Sequence, residues 1–203
     1  MELCDVANRR TSCHHFETGF KISISEFEAI LQLVRKTPSG YNAQPWKFLL
    51  IQDEMLLQKV HEIAFKQDHI LECGNLVVLL GDREFGVHDC DRILEEWKEI
   101  RGFSEEQLEA LKASLMRDRP EWQKREMVIR NCSLAAMSFL FSATEKGYAT
   151  CPMMGFSQRK LKKILSLEEH MIPILLICLG KQQDGVSDNP FPRKSVKELY
   201  EVR

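Results

Sequence analysis

The sequence predicts one domain of the α/β or α+β class, and three observations carry that prediction. Capped amphipathic helices alternate with three or more short runs that are apolar on both faces, as central strands are. Polar loops fall at the ends of those elements, where a rigid scaffold can hold them. The chain has 203 residues, 44% of them hydrophobic and 29% charged, enough to build one substantial core. No internal repeat, low-complexity tract or domain linker divides it.

Met1 to Asn8 reads as a short helix with Leu3 and Val6 facing inward. The basic segment from Arg9 to Phe16 follows. Two adjacent arginines with Ser12 and His14 suit a phosphate, because the guanidinium fork matches phosphate oxygens; a solvated basic turn is the plainer reading of the same residues. Ser25, with Glu28 three residues on, reads as a capping box preceded by Ile24 as a staple. Phe27, Ile30, Leu31 and Val34 then mark one face of a helix that ends near Thr37.

Pro38-Ser39-Gly40-Tyr41-Asn42-Ala43-Gln44-Pro45-Trp46 breaks the pattern. Two prolines bar a regular element from passing through, and the stretch offers a glycine, two side-chain amides and a hydroxyl on a constrained path. A strand follows over 47–52, and then a helix capped by Asp53. Residues 75–81 read as a doubly buried strand. Residues 89–119 are charged and helical in pattern, with Ser104 and Gln107 as another capping box, and read as a solvated helical insertion or lid. A long helix runs from about Glu121 to Lys146 and stops at Gly147. Its 132–143 stretch is apolar nearly all round, which implies burial in a core or a subunit interface. Tyr148 to Phe156 reads as a second polar, glycine-bearing loop, Ser157 caps a short helix, and 172–180 is another buried strand with Pro173 near its start. The tail from Lys181 reads as a loop, including Asn189 to Lys194, with a short helix or strand over 196–202.

Charge and composition narrow the function. A net charge of −2 gives no general affinity for nucleic acid or an anionic membrane. The start lacks the regions of a signal peptide, and the longest apolar runs fall short of the roughly 20 residues of a membrane span. Seven scattered cysteines with no C-x-x-C pair indicate neither a disulfide framework nor a zinc site, and suit buried thiols in a reducing cytoplasm. The His14-His15 pair has no partner cluster in sequence, so no metal is expected there.

Three blocks carry a family resemblance: Arg10-x-Ser12-x-His14-x-Phe16, the 38–46 block, and Gly147-Tyr148-x-x-Cys151-Pro152-Met153-Met154-Gly155-Phe156. In their order and spacing the chain resembles the FMN-dependent nitroreductases, from the N-terminus to about Glu198. The resemblance implies a single domain over 1–203. Its fold would be an α+β sandwich, with helices around a mostly antiparallel sheet, a variable helical insertion at 84–119 and a C-terminal tail at 181–203. It also implies an intertwined homodimer with two FMN molecules in the interface. Carried over by position, Arg10 and Arg193 bind the FMN phosphate and Ser12 supports the flavin end or ribityl chain. Pro38, Ser39, Gly40 and Asn42 reach FMN from the opposite subunit, and Gln67 contacts the ring edge. Backbone amides around Met153, Met154 and Gly155 hydrogen-bond flavin N5.

Two positions depart from the family pattern. His14 stands where the family often has Arg or Lys near the flavin N1–O2 side, and a neutral imidazole stabilises reduced anionic flavin less than a fixed cation. Phe191 stands at the usual second basic position before Arg193. The activity implied is a ping-pong transfer of electrons from NADH or NADPH to a small acceptor: a nitroaromatic, a quinone or an activated alkene. No catalytic side chain is required, and the acceptor pocket would draw on the insertion and Tyr41. Three rival readings are a non-catalytic flavin-binding sensor or carrier, thiol chemistry at Cys151 or Cys13, and a helical interaction module over 89–119.

Overall fold

The computed structural model describes residues 2–186 and 190–203. Met1, expected in the first helix, and Asn189 of the tail loop lie outside the described residues. The elements run α1 (Leu3–Arg9), α2 (Ile24–Val34), β1 (Trp46–Ile51), α3 (Glu54–Ile63), α4 (His69–Glu72), β2 (Leu76–Asp82), α5 (Phe85–His88), α6 (Cys90–Arg101), α7 (Glu105–Leu115), α8 (Glu121–Glu145), β3 (Ala149–Met153), α9 (Gln158–Ile164) and β4 (Met171–Gly180). The four strands form one sheet in the order β1-β2-β4-β3, every pair antiparallel. This is the α+β sandwich that the resemblance implies.

Strand alternation sorts the core into layers. Leu76, Val78 and Leu80 of β2 point toward α3 and α9, with Leu57, Val60 and Leu161. Val77 points the other way, toward α2 and α8 with Ile30 and Phe139, and Leu79 joins a third cluster beneath α5–α7. Both faces of β2 are therefore dry, which is why its sequence is apolar without alternation. In β4, Pro173 pairs with Leu80 just where the register shifts, so a bulge absorbs the residue that cannot donate.

Several boundaries move from their expected places. The cap of α2 is Ser23, not Ser25: its side chain accepts from Glu26 N–H, and Glu26 reaches back to the Ser23 backbone. The deciding factor is the staple. With Ser23 as cap, Ile22 and Phe27 fall at the two staple positions, and both are buried in one cluster. Ile24, expected to play that part, is 61% exposed. Leu3 also faces outward, while Val6 is buried.

The stretch expected as a loop at 148–156 contains β3, whose Pro152 is tolerated because β3 is the edge strand. The 84–119 region is more than a wet insertion. Phe85, Ile93, Leu108, Leu111 and Leu115 bury against Val128 and Cys132 of α8. Helix α8 is long and apolar enough to cross a membrane, yet it packs on the sheet and on α2 as a core helix, with half of its apolar stretch buried. Its 132–143 segment is not buried all round in one chain: Leu134 and Met137 are 50% and 38% exposed.

One buried polar group ties the N-terminal segment to the sheet. Asn75 is fully buried; its Oδ1 accepts from Ile22 N–H and Gln52 Nε2, and its Nδ2 donates to the carbonyls of Phe20, Cys73 and Leu179. Every hydrogen-bonding direction of the amide is used, so its burial carries no unpaired cost.

Candidate functional site

After α1 the chain runs extended beside β3. Cys13 N–H donates to the Thr150 carbonyl at 3.0 Å, and Ser12 bridges Thr150 in parallel. Alternate residues of an extended segment share a side, so the Arg10-x-Ser12-x-His14 spacing presents three polar groups along one edge. Cys13, between them, is buried in the core.

A cleft of about 540 Å³ opens along that edge, lined by Ser12, His14, Gln67, Met153, Met154, Gly155 and Arg193. A second cleft of about 650 Å³ adjoins it through Ser12, Pro152 and Arg193, and adds Arg10 with Met137, Leu140 and Phe141 of α8. A single chain therefore brings together eight of the expected site residues from four separate parts of the sequence.

The corner around Gly155 is closely built. Phe65 and Lys66 take left-handed backbone angles, with φ of 55° and 54°, and turn the chain so that Gln67 Nε2 donates to the Ala64 carbonyl at 3.0 Å and reaches the Gly155 carbonyl at 3.5 Å. A Cβ on Gly155 would sit 3.3 Å from the Phe65 ring. The ring of His14 meets His69 edge-on at 5.4 Å, and His69 Nε2 lies 3.0 Å from the Met153 sulfur.

The electrostatics of the second cleft centre on two arginines. Burial, and then the nearby Arg193, hold the Arg10 guanidinium below its ordinary pKa. Arg193 donates to the Phe191 carbonyl at 2.7 Å. Among the described residues no carboxylate pairs with either guanidinium. Two cations held close, with no carboxylate partner among the described residues, suit an anion.

Pro38, Ser39, Gly40 and Asn42 line neither cleft. Their loop is fixed by its own chain: Gly40 N–H donates to Asn131 Oδ1 at 2.9 Å, Asn42 Nδ2 to Glu96 at 2.7 Å, and Gln44 N–H to Ser39 Oγ at 2.9 Å. Tyr41 and the 84–119 helices likewise stay outside both clefts, and a smaller cavity of about 220 Å³ lies at the base of those helices. Thr11, Pro152 and Pro190 line the first cleft without having been singled out, and so do Cys151 and Phe191, which the sequence had placed near the site without giving them a part in binding FMN. Their signal was adjacency to the motif residues, since β3 and the tail present neighbours on both sides of each named position.

With that geometry in place, the comparisons with known proteins are specific. The profile described as "Nitroreductase family" matches residues 7–181. The chain belongs to the nitroreductase family. Among curated relatives, "Putative NAD(P)H nitroreductase MhqN" of Bacillus subtilis (strain 168) is 30% identical over 203 residues, covering 98% of each chain. The crystal structure of ydfN from Bacillus subtilis superposes with a TM-score of 0.91 at 27% identity, covering 98% of both chains. A protein of Exiguobacterium sibiricum 255-15, solved in complex with FMN, has the same fold at a TM-score of 0.88 and 22% identity, covering 100% of this chain and 98% of that one. Membership of this family marks the chain as an oxidoreductase.

Proposed function

We propose that the chain is an FMN-dependent oxidoreductase that takes electrons from NADH or NADPH and passes them in a ping-pong cycle to a small acceptor, such as a nitroaromatic, a quinone or an activated alkene. The observation that carries this reading is the Arg10–Arg193 pair beside the polar cleft. Two guanidiniums without a carboxylate partner among the described residues suit a dianionic phosphate, each charge-assisted contact contributing roughly 1.5–3 kcal/mol. The donor set fits FMN at the ring end as well. Ser12, His14 and Gln67 supply side-chain polarity, and the backbone at Met153, Met154 and Gly155 supplies amides where Gly155 has no Cβ to stand in the way.

FMN, once bound, supplies the two-electron redox chemistry. The protein's own groups bind and orient it. Arg10 and Arg193 anchor the phosphate, and Ser12 and Gln67 fix the ring edge. Pro152, Pro190 and Phe191 line one side of the cleft with apolar surface. An imidazole at position 14, where the family often has Arg or Lys, supplies no fixed positive charge beside the ring, which would lower the potential at which the site accepts electrons.

A second copy of the chain completes the site in this reading. Leu134, Met137, Ser138 and Phe141 fall at i, i+3, i+4 and i+7 on α8, a stripe that one chain covers only in part: Leu134 and Met137 are exposed, Ser138 and Phe141 half-buried. That stripe runs from the end of α8 that holds the 38–46 loop, through Asn131, to the end that lines the cleft. Pairing two such stripes head to tail would carry the loop of one copy, with Pro38, Ser39, Gly40 and Asn42, toward the cleft of the other.

The test is a visible absorption spectrum of the purified protein, before and after NADH or NADPH is added under nitrogen. A flavin spectrum that bleaches promptly supports the reductase. Flavin that stays oxidised would favour the one alternative that His14 supports, a sensor or carrier. A protein that takes up no FMN would overturn both.

A further inference from the structure

We propose that Asp82, His88 and His170 form a binding site for a divalent cation of the zinc class, at the base of the helical insertion and apart from the flavin cleft. One ligand atom from each residue lies within 4.8 Å of the others. Two imidazoles and one carboxylate are a donor set for Zn²⁺ that leaves a coordination position open.

Three elements bring these residues together, and each is fixed by the fold. Asp82 ends β2 and pairs with Met171 at the start of β4, so His170 stands beside it; Arg83 N–H donates to the His170 carbonyl at 3.0 Å and locks that pairing. The Asp82 carboxylate is oriented by Glu84 N–H, which donates to its Oδ1 at 2.7 Å. That turn starts α5, whose last residue, His88, returns its Nδ1 to within 2.7 Å of Asp82 Oδ2. The two imidazole rings meet edge-on at 4.3 Å.

The surroundings match those of a metal-binding histidine cluster. Ligating residues are commonly held by outer hydrogen bonds that fix ring and carboxylate orientation. Asp82 has its backbone donor, and the exposed Glu168 carboxylate lies 3.6 Å from His170 Nδ1, just beyond hydrogen-bond reach. Arg83, the nearest cation in sequence, is engaged by Glu121 and by the Glu169 carbonyl. Tetrahedral metal–ligand bonds of about 2.0–2.2 Å set ligand atoms roughly 3.3–3.6 Å apart, so binding opens the 2.7 Å contact between His88 and Asp82 and brings the wider separations in. The half-exposed His88 side chain can make that movement.

A cation there would join α5 to the start of β4 and so pin the root of the insertion to the sheet. Binding to the folded chain alone then raises thermal stability. The experiment uses the full-length protein, stripped with EDTA and dialysed, then titrated with ZnSO₄ by calorimetry and with Co²⁺ by visible spectroscopy. One equivalent per chain is expected, with cobalt d–d absorption and no intense thiolate charge-transfer band, and with a raised Tm in zinc. His88→Ala and Asp82→Asn each abolish that equivalent while keeping the metal-free circular dichroism and Tm of the parent, and His15→Ala and Cys4→Ser keep it. A parent protein that binds no equivalent, a thiolate band, or retention of the equivalent in both His88→Ala and Asp82→Asn would overturn the proposal.

Discussion

The indole Nε1–H of Trp97 donates to the backbone carbonyl of Tyr41 at 3.1 Å, joining the helical insertion to the loop over 38–46. That loop carries three non-glycine residues in left-handed conformation: Tyr41, Asn42 and Gln44, with φ of 58°, 56° and 49°. Each such residue costs of order 1–3 kcal/mol and persists only where its surroundings hold it. The insertion provides the hold. Arg92 Nη2 donates to the Ala43 carbonyl at 2.9 Å, and the Tyr41 hydroxyl lies 3.0 Å from Ser114 Oγ. Trp97→Phe removes one of these ties and keeps most of the packing, so it lowers stability by about 1 kcal/mol. It also speeds amide hydrogen exchange at 40–44 more than in the sheet. Uniform exchange across the chain would show that the loop does not depend on α6.

The paired arginines predict an affinity. Arg10→Ala or Arg193→Ala removes one charge-assisted contact to phosphate and weakens FMN binding by about 10- to 150-fold. Riboflavin, which lacks the phosphate, should bind the parent and both variants alike. Fluorescence quenching of each flavin reads the two numbers. An equal loss for riboflavin would place the arginines outside the phosphate site.

Gly81 predicts a packing limit. A Cβ at this position in β2 would lie 2.2 Å from Val128 Cγ1 and 3.0 Å from Cys132 Sγ, both on fully buried residues of α8. Gly81→Ala therefore overpacks the sheet–helix contact and costs about 1–3 kcal/mol. Adding Val128→Ala relieves the clash, so the double variant loses less than the sum of the two single changes in urea unfolding. Strict additivity would show that the contact relaxes by another route.

A surface contact predicts an acid limb. The Ser23 hydroxyl and then the Tyr148 hydroxyl, which donates at 2.7 Å, hold the Glu26 carboxyl at about 2 instead of the ordinary 4.5. Burial, and then Glu26, push the Tyr148 phenol up to about 12. The folded pKa of Glu26 lies below its unfolded value, so its contribution is present above about pH 4.5 and is lost as pH falls toward 2. Tyr148→Phe makes the decline of the urea midpoint between pH 4.5 and 2 shallower than in the parent. Identical slopes would count against this contact as a source of the acid sensitivity.

Much of this architecture was legible in the residues. The caps at Asp53, Ser104 and Ser157, the stop at Gly147, and the buried strands β2 and β4 are local matters of hydrogen-bond geometry and apolar periodicity, which a short window contains. The Arg10-x-Ser12-x-His14 spacing already carried the alternation of an extended segment. The cap expected at Ser25 sits at Ser23 instead, a register that buries Ile22 against Phe27 and that no local signal had marked. The edge strand β3 was hidden because Pro152 and a flanking glycine read as a loop; pairing with β4 overrides that local preference.

The sequence by itself determined most of the elements, β3 excepted, and which residues carry polar chemistry, since those follow from side-chain type and spacing. Tertiary structure decided which of them meet, although the family resemblance already implied that Arg10 and Arg193 share one phosphate. Arg10 meets Arg193 across 183 positions because the tail returns to the α1 end of the sheet, and Asp82 meets His170 because β2 and β4 pair in one register. Asn75 collects Phe20, Ile22, Gln52 and Leu179 around one buried amide. Such meetings depend on how strands pair and layers pack over long separations, and no local pattern encodes them.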